Sequence, residues 1–219
     1  MCANFKPITL QQLKALGLPL IPFEYVDEVF PNFQMPLLFK SVQAYEWRAV
    51  NFGLIPKWAE DTALAKYTYN ARNETLLSKP SFQDAFMKCN FGVVPVTEFY
   101  EIKYINAKPQ RWGIRRKDGR AFYIAALYEI VRIEQQIVRS ATLLTMEAGD
   151  HLLMKEFHKP EGQKRSIIII SHERLDEWLS LSTPIIDDFV IGFPVEEFES
   201  FYCPKTRLLK SSPQLNIFA

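Results

Sequence analysis

The spacing of hydrophobic and polar positions changes period several times along the chain. Thr9-Leu10-Gln11-Gln12 forms a capping box, and Leu10, Leu13 and Leu16 recur at helical spacing until Gly17. Pro31 and Pro36 flank a short loop leading into the apolar run Leu37-Leu38-Phe39, and a second extended stretch covers 47–54 before Pro56. After Pro80, residues 81–86 predict a short helix with Phe82, Ala85 and Phe86 on one face. Beyond it the period falls to that of strands. Short β-branched or aromatic runs predict strands at 91–96, 99–105, 111–116, 121–133, 141–146, 166–171 and 189–193, several bounded by turn signals such as Lys117-Asp118-Gly119. Helical spacing returns over 172–181, with Leu175, Trp178 and Leu179 as its apolar stripe.

Many strands, few helices and no regular β-α alternation predict an α+β fold built mostly of antiparallel β sheets, with a few short helices. A length of 219 residues fits one domain over 1–219, with 204–219 as a mobile tail. Hydrophobic residues at 48% and charged residues at 23% exclude a disordered or fibrous chain. The 26 basic side chains balance 25 acidic ones, for a net charge of +1, which excludes a broadly cationic binder of nucleic acid or membranes while leaving room for a local basic groove. No apolar run approaches the roughly 20 residues that span a bilayer, and the first residues lack the apolar core of a signal peptide, so the expectation is a cytoplasmic monomer with no membrane partner. Cys2, Cys89 and Cys203 are odd in number and widely separated, which suits a reducing compartment. With only His151, His158 and His172, and no HExxH or Cys/His cluster, neither a metal nor a cofactor is expected.

Cys2 is the first candidate for chemistry. Removal of Met1 leaves an amine and a thiol on adjacent carbons, and the amine, with a reference pKa of about 7.7–8.0, is partly a neutral nucleophile near neutrality. Such a 1,2-aminothiol condenses with an aldehyde to an imine and then closes a thiazolidine; it can instead attack an amide. With Met1 attached, the Cys2 nitrogen is an amide and the chain is a precursor. Residues 69–75 pack Asn70, Arg72, Asn73 and Glu74 beside an apolar strand: Arg72 suits phosphate, Asn70 suits an oxyanion or the orientation of a nucleophile, and an exposed Arg–Glu loop is the alternative. In Glu98-Phe99-Tyr100-Glu101, strand alternation puts Phe99 and Glu101 on one face and Glu98 and Tyr100 on the other; a glutamate among aromatics suits acid–base work, one at a wet edge does not. His158 is either a proton shuttle or a solvated loop residue. Arg111, Arg115, Arg116, Lys117 and Arg120 form the densest basic stretch, read as a solvated hairpin. Phe52 and Trp58 either stack on bases or fill the core.

Taken in order, these pieces resemble the SRAP family, the SOS-response-associated peptidases or abasic-site-processing proteins. The resemblance runs from Met1-Cys2 through Phe52-Gly53-Leu54-Ile55-Pro56-Lys57-Trp58 and Asn70-Ala71-Arg72-Asn73-Glu74-Thr75. It continues through Cys89, Pro95 and Phe99-Tyr100-Glu101, then Ala125-Ala126-Leu127-Tyr128-Glu129, Thr142-Leu143-Leu144-Thr145, His158 and Trp178-Leu179. It implies a compact α+β fold and a cleft for single-stranded DNA containing abasic sites, with a covalent thiazolidine crosslink through Cys2 in the DNA damage response. It also implies roles: Asn70 positions the cysteine, Glu101 moves protons, His158 assists sugar ring-opening, and Arg72, Phe52 and Trp58 lie on the DNA path. The peptidase name refers to self-removal of residues ahead of the cysteine.

The chain also departs from the family pattern. Ala3 and Asn4 stand in place of glycine and arginine, Phe52 and Ile102 in place of tryptophans, and Glu98 in place of a glycine. The usual arginine-methionine-proline after His158 is replaced by Lys159-Pro160-Glu161. Two further readings use the same residues: an N-terminal-nucleophile or thiol peptidase with autoproteolytic activity, and a catalytically silent single-strand-binding module.

Overall fold

The computed structural model describes residues 2–42 and 44–204. Its strands are β1 (Phe5–Pro7), β2 (Gln34–Lys40), β3 (Tyr45–Phe52), β4 (Asn70–Arg72), β5 (Phe91–Ile105), β6 (Lys108–Arg116), β7 (Phe122–Ile133), β8 (Gln136–Glu147), β9 (Arg165–Ile167), β10 (Ile169–Ile170) and β11 (Phe198–Tyr202). Three short helices accompany them: α1 (Leu10–Ala15), α2 (Pro80–Met87) and α3 (Leu175–Leu179). The sheet runs β10-β7-β8-β3-β2-β5-β6-β11, and a further β5–β7 ladder closes β7, β8, β3, β2 and β5 into a barrel. The protein is therefore mostly β. Pairing is antiparallel except where β3 and β4 meet β8 in parallel.

Alternation along the barrel strands feeds two cores. Val94, Val96, Phe122, Ile124, Ala126, Phe52 and Leu143 belong to a cluster that draws on all five ring strands and on none of the three α-helices. Their neighbours Val93, Tyr123, Ala125 and Leu127 pack with Leu13, Phe82, Phe86 and Trp178 from the three helices, on the outer face. A side-chain period of two on twice-covered strands explains why β5 and β7 read as near-continuous apolar runs.

Local signals hold at the helices. The Thr9 hydroxyl accepts from the Gln12 N–H, the Gln12 side chain caps in return, and Gly17 at φ 66° ends α1. Pro80 opens α2, whose buried face is Phe82, Ala85 and Phe86. The strands differ more. The expected strands at 91–96 and 99–105 are one strand, β5, which changes partner part-way: Phe91–Val96 pairs with β7, and Glu98–Ile105 with β6. The expected run at 166–171 is split into β9 and β10, which pair with β8 and β7 respectively. Pro36 lies inside β2 rather than ahead of it, tolerated because β2 meets β5 only at Leu38↔Val93. No strand forms over 189–193: Phe189 is buried in the outer core and Phe193 in the barrel core, and Pro194 breaks the segment. The last strand among the described residues is β11, whose Phe201 ring lies where a side chain at Gly113 would be, the nearest ring atom being 2.3 Å from that Cβ position. Of the expected tail, residues 205–219 lie outside the described residues.

Candidate active site

The N-terminal segment is threaded between two backbones. Phe5 pairs with Phe99 on β5, and the Tyr100 N–H donates to the Asn4 carbonyl at 3.0 Å. On the opposite side, Phe5 and Val29 exchange backbone hydrogen bonds of 3.3 and 2.9 Å. Cys2, immediately ahead, is 1% exposed, and its thiol donates to the Asn4 carbonyl at 3.6 Å. Burial pushes the thiol up to about 12, and the nearby Glu101 charge adds to the rise. The sulfur is therefore a protonated thiol at neutral pH.

Asn70 reaches the same point from β4, which parallel pairing to Leu143 of β8 holds in place. Its Nδ2 donates to the Cys2 carbonyl at 2.7 Å, while its buried Oδ1 has no partner among the described residues. An unpaired buried amide oxygen costs about 1–3 kcal/mol, so this acceptor stands ready for a donor. Glu101, 5% exposed on β5, faces His158: the His158 Nδ1 lies 3.4 Å from the Glu101 Oε2. His158 adopts φ 66°, its N–H donates to the Ile102 carbonyl at 2.7 Å, and its Nε2 is 2.9 Å from the Arg165 carbonyl. A carbonyl only accepts, so Nε2 carries hydrogen and Nδ1 is the nitrogen turned to the carboxylate. The carboxylate and the imidazole therefore face each other in a largely buried pair, with Nδ1 directed at Oε2. Neither the wet-edge reading of Glu101 nor the solvated-loop reading of His158 survives.

The remaining expected residues divide. Arg72 is exposed at the end of β4. Trp58 is 57% exposed, and its indole N–H donates to the Pro80 carbonyl at 3.2 Å, leaving an aromatic face to solvent. Phe52 is 0% exposed, packed edge-on against Phe5 and Tyr69 at 5.5 and 5.7 Å, so it is core and not a stacking platform. The basic stretch carries no phosphate cradle. Arg115 pairs with Glu199, Arg116 with Asp118 and Glu197, and Arg120 with Asp118, while the Lys117 ammonium donates to the Glu196 carbonyl.

Two residues that local pattern did not single out as part of the site support it. All five N–H bonds of Arg111 are used: Nε and Nη2 donate to the Asn4 Oδ1 at 3.2 and 2.7 Å, Nη2 also to Glu28, and Nη1 to the Cys203 carbonyl and Sγ at 3.3 Å each. The guanidinium also stacks 3.5 Å from the Tyr100 ring centre. Glu74 takes both Nη groups of Arg165 at 2.9 and 3.0 Å and the Glu147 N–H at 3.1 Å. Partial burial raises the Glu74 carboxyl, but these donors outweigh it and hold it below the usual range.

Comparison with known proteins identifies the family. The profile of the SOS response associated peptidase (SRAP) family matches residues 21–200. The chain belongs to the SRAP family. Cys2 lies ahead of the matched span. Among SRAP relatives, the abasic site processing protein YoaM of Bacillus subtilis is 28% identical over 176 residues, which is 76% of this chain and 71% of the relative. YoqW, also an abasic site processing protein and found in B. subtilis and Bacillus phage SPbeta, is 33% identical over 137 residues, 60% of this chain and 56% of the relative. A Bordetella bronchiseptica crystal structure superposes with a TM-score of 0.86 at 21% identity, covering 93% of this chain and all (100%) of that one. A Bacteroides thetaiotaomicron structure gives 0.77 at 22% identity, covering 92% and 91%. At these identities the two structures establish the fold.

Two departures from the SRAP pattern acquire a physical reading. Asn4 serves as the anchor that Arg111 grips. Glu98 accepts the Tyr100 hydroxyl at 2.9 Å and lies 3.5 Å from the Lys6 ammonium, so its charge is neutralised on the strand face opposite Glu101.

Proposed function

We propose that this SRAP protein processes abasic sites in single-stranded DNA, capturing the ring-opened deoxyribose aldehyde through Cys2 after Met1 is removed. The carrying observation is the buried set in which Asn70 holds the Cys2 carbonyl while Glu101, whose charge acts on the thiol, faces His158 at 3.4 Å. The names of its relatives, abasic site processing proteins, support abasic sites as the substrate.

The steps balance. The Cys2 amine adds to the aldehyde carbon, forming C–N, and the carbonyl oxygen takes a proton to become a hydroxyl. Glu101 and His158, facing each other at 3.4 Å, act as the acid that protonates that hydroxyl so that it leaves as water, giving the imine. The thiol then adds across C=N: C–S forms, and the thiol proton passes to nitrogen. The sum is aldehyde plus aminothiol to thiazolidine plus water. A thiol that stays protonated at neutral pH favours this order, with the amine reacting first and the sulfur closing the ring. Asn70, with Nδ2 on the Cys2 carbonyl and Oδ1 unpartnered, is placed to receive the freed amine. Arg72 supplies phosphate contact and Trp58 base stacking for the strand.

The same protonated thiol speaks against attack on an amide by a thiolate, so the peptidase reading is the weaker one. The silent-binder reading predicts that Cys2→Ala changes nothing. The test incubates Met1-free protein with a single-stranded oligonucleotide carrying one abasic site. A denaturation-resistant adduct that Cys2→Ala abolishes supports the proposal; binding without any adduct contradicts it.

A further inference from the structure

We infer that Arg165 is a positioning residue that locks the Asn70 side of the site to the His158 side. The inference rests on the function proposed above, and concerns a residue outside the reacting set.

Arg165 opens β9 with its side chain 3% exposed. Its fork is closed on Glu74, three residues past Ala71, and its Nη2 also donates to the Thr145 carbonyl and hydroxyl at 2.8 and 3.1 Å. The Thr145 hydroxyl in turn donates to the Ala71 carbonyl at 3.2 Å. One guanidinium therefore pins 70–74, the segment whose Asn70 holds Cys2, against β8. The same residue's backbone carbonyl takes the His158 Nε2–H and so turns Nδ1 to Glu101. Side chain and main chain of Arg165 thus act on opposite members of the site, and a displacement of β9 would move Asn70 and His158 relative to each other. The Arg165 Nε is buried without a partner among the described residues. A buried cation in an incomplete hydrogen-bond set is a poor source of net stability, which points to geometry as its contribution.

Lysine cannot reproduce the fork, since it offers a point charge rather than parallel N–H groups. The test measures the rate of adduct formation against oligonucleotide concentration for Met1-free wild type, Arg165→Lys, Arg165→Met and Glu74→Gln. It adds thermal unfolding and nitrogen-15 NMR of the His158 ring. A misplacement near 1 Å lowers the maximum rate by about 100-fold, so the Arg165 variants should fall in that range. Glu74→Gln, which keeps one neutral acceptor, should fall by about 10-fold. Half-saturating oligonucleotide should change by much less than the rate, because in the pinned segment only the exposed Arg72 is assigned to the strand, and His158 should lose its single Nε2–H tautomer in the Arg165 variants.

Folded Arg165 variants with wild-type maximum rates, or with an unchanged His158 tautomer, would overturn the inference. If Arg165→Met does not fold, Glu74→Gln carries the test: a selective rate loss supports the lock, and a rate within about two-fold of wild type refutes it. Wild type that forms no adduct counts against the function itself. Wild type that reacts alongside equally fast variants counts against the lock alone.

Discussion

Arg111→Met severs the tether that holds the N-terminal segment, while its aliphatic stem still covers the Tyr100 ring. The guanidinium side chain is 10% exposed and the Glu28 side chain 33%. Breaking a fully buried pair costs about 3–5 kcal/mol, and the partial solvation of Glu28 brings the expected loss to about 2–4 kcal/mol. For a domain of this size each kcal/mol moves the midpoint by about 2–4 °C, so thermal unfolding should drop by about 4–16 °C. Asn4, 7% exposed, loses two of its donors, and the thiol of Cys2 leans on the Asn4 carbonyl. Misplacing the reacting residue by about 1 Å should slow adduct formation by about 100-fold. Arg111→Lys restores the charge facing Glu28 but not the fork on Asn4, so it should recover part of the midpoint and little of the rate. Scanning calorimetry and single-turnover gel assays of the three proteins give both numbers. A midpoint within about 1 °C of wild type, with a rate within about two-fold, would refute the tether.

Other outcomes follow from the same geometry. The folded chain keeps the Cys2 proton to about 12, whereas the unfolded chain releases it at 9.0. The stability it contributes is therefore complete below 9.0 and is lost as pH rises between those values. At about pH 10 the loss is about 1.4 kcal/mol, and urea titrations of wild type against Cys2→Ala should show it as a steeper decline in wild type. Phe52→Ala should cost about 3–5 kcal/mol of stability through the cavity left between Phe5 and Tyr69. Trp58→Ala should leave the unfolding midpoint unchanged and weaken single-strand binding by about 1–3 kcal/mol, as read by fluorescence anisotropy. Gly53→Ala should destabilise by about 2–5 kcal/mol, because at φ 133° its Cβ would lie 2.1 Å from the Ala65 carbonyl oxygen.

What local pattern encodes was legible. The Thr9 cap, the Phe82–Phe86 face of α2 and the apolar runs that became β5 and β7 are short-range features with short-range causes. What depends on remote partners was not. The sequence 189–193 has the aromatic content of a strand, yet Phe198–Tyr202 takes the open edge of β6, where Gly113 leaves room for Phe201. The hairpin turns Asn106-Ala107 and Glu134-Gln135 reach positive φ without a glycine to announce them. Phe52 carries an aromatic ring suited to stacking, and only the closure of the barrel shows that the ring points inward.

The candidate site divides along the same line. Cys2, Asn70, Glu101 and His158 stood out for their chemistry, and the fold brings Asn70 to Cys2 and His158 to Glu101. Arg111 read as one charge of a solvated hairpin, because neither Asn4 nor Glu28 is near it in sequence. Arg165 and Glu74 sit 91 positions apart, and no spacing rule joins them.

The central claim is that Cys2 captures an abasic aldehyde as a thiazolidine, and intact mass spectrometry of the adduct tests it most directly. Met1-free protein with an abasic single strand should give one species at the combined mass less one water, resistant to borohydride because the ring has closed over the imine. Cys2→Ala should give no species of that kind. An adduct of Cys2→Ala at its own combined mass less one water that borohydride leaves unchanged, or a wild-type adduct that forms equally well with Met1 retained, would contradict the account.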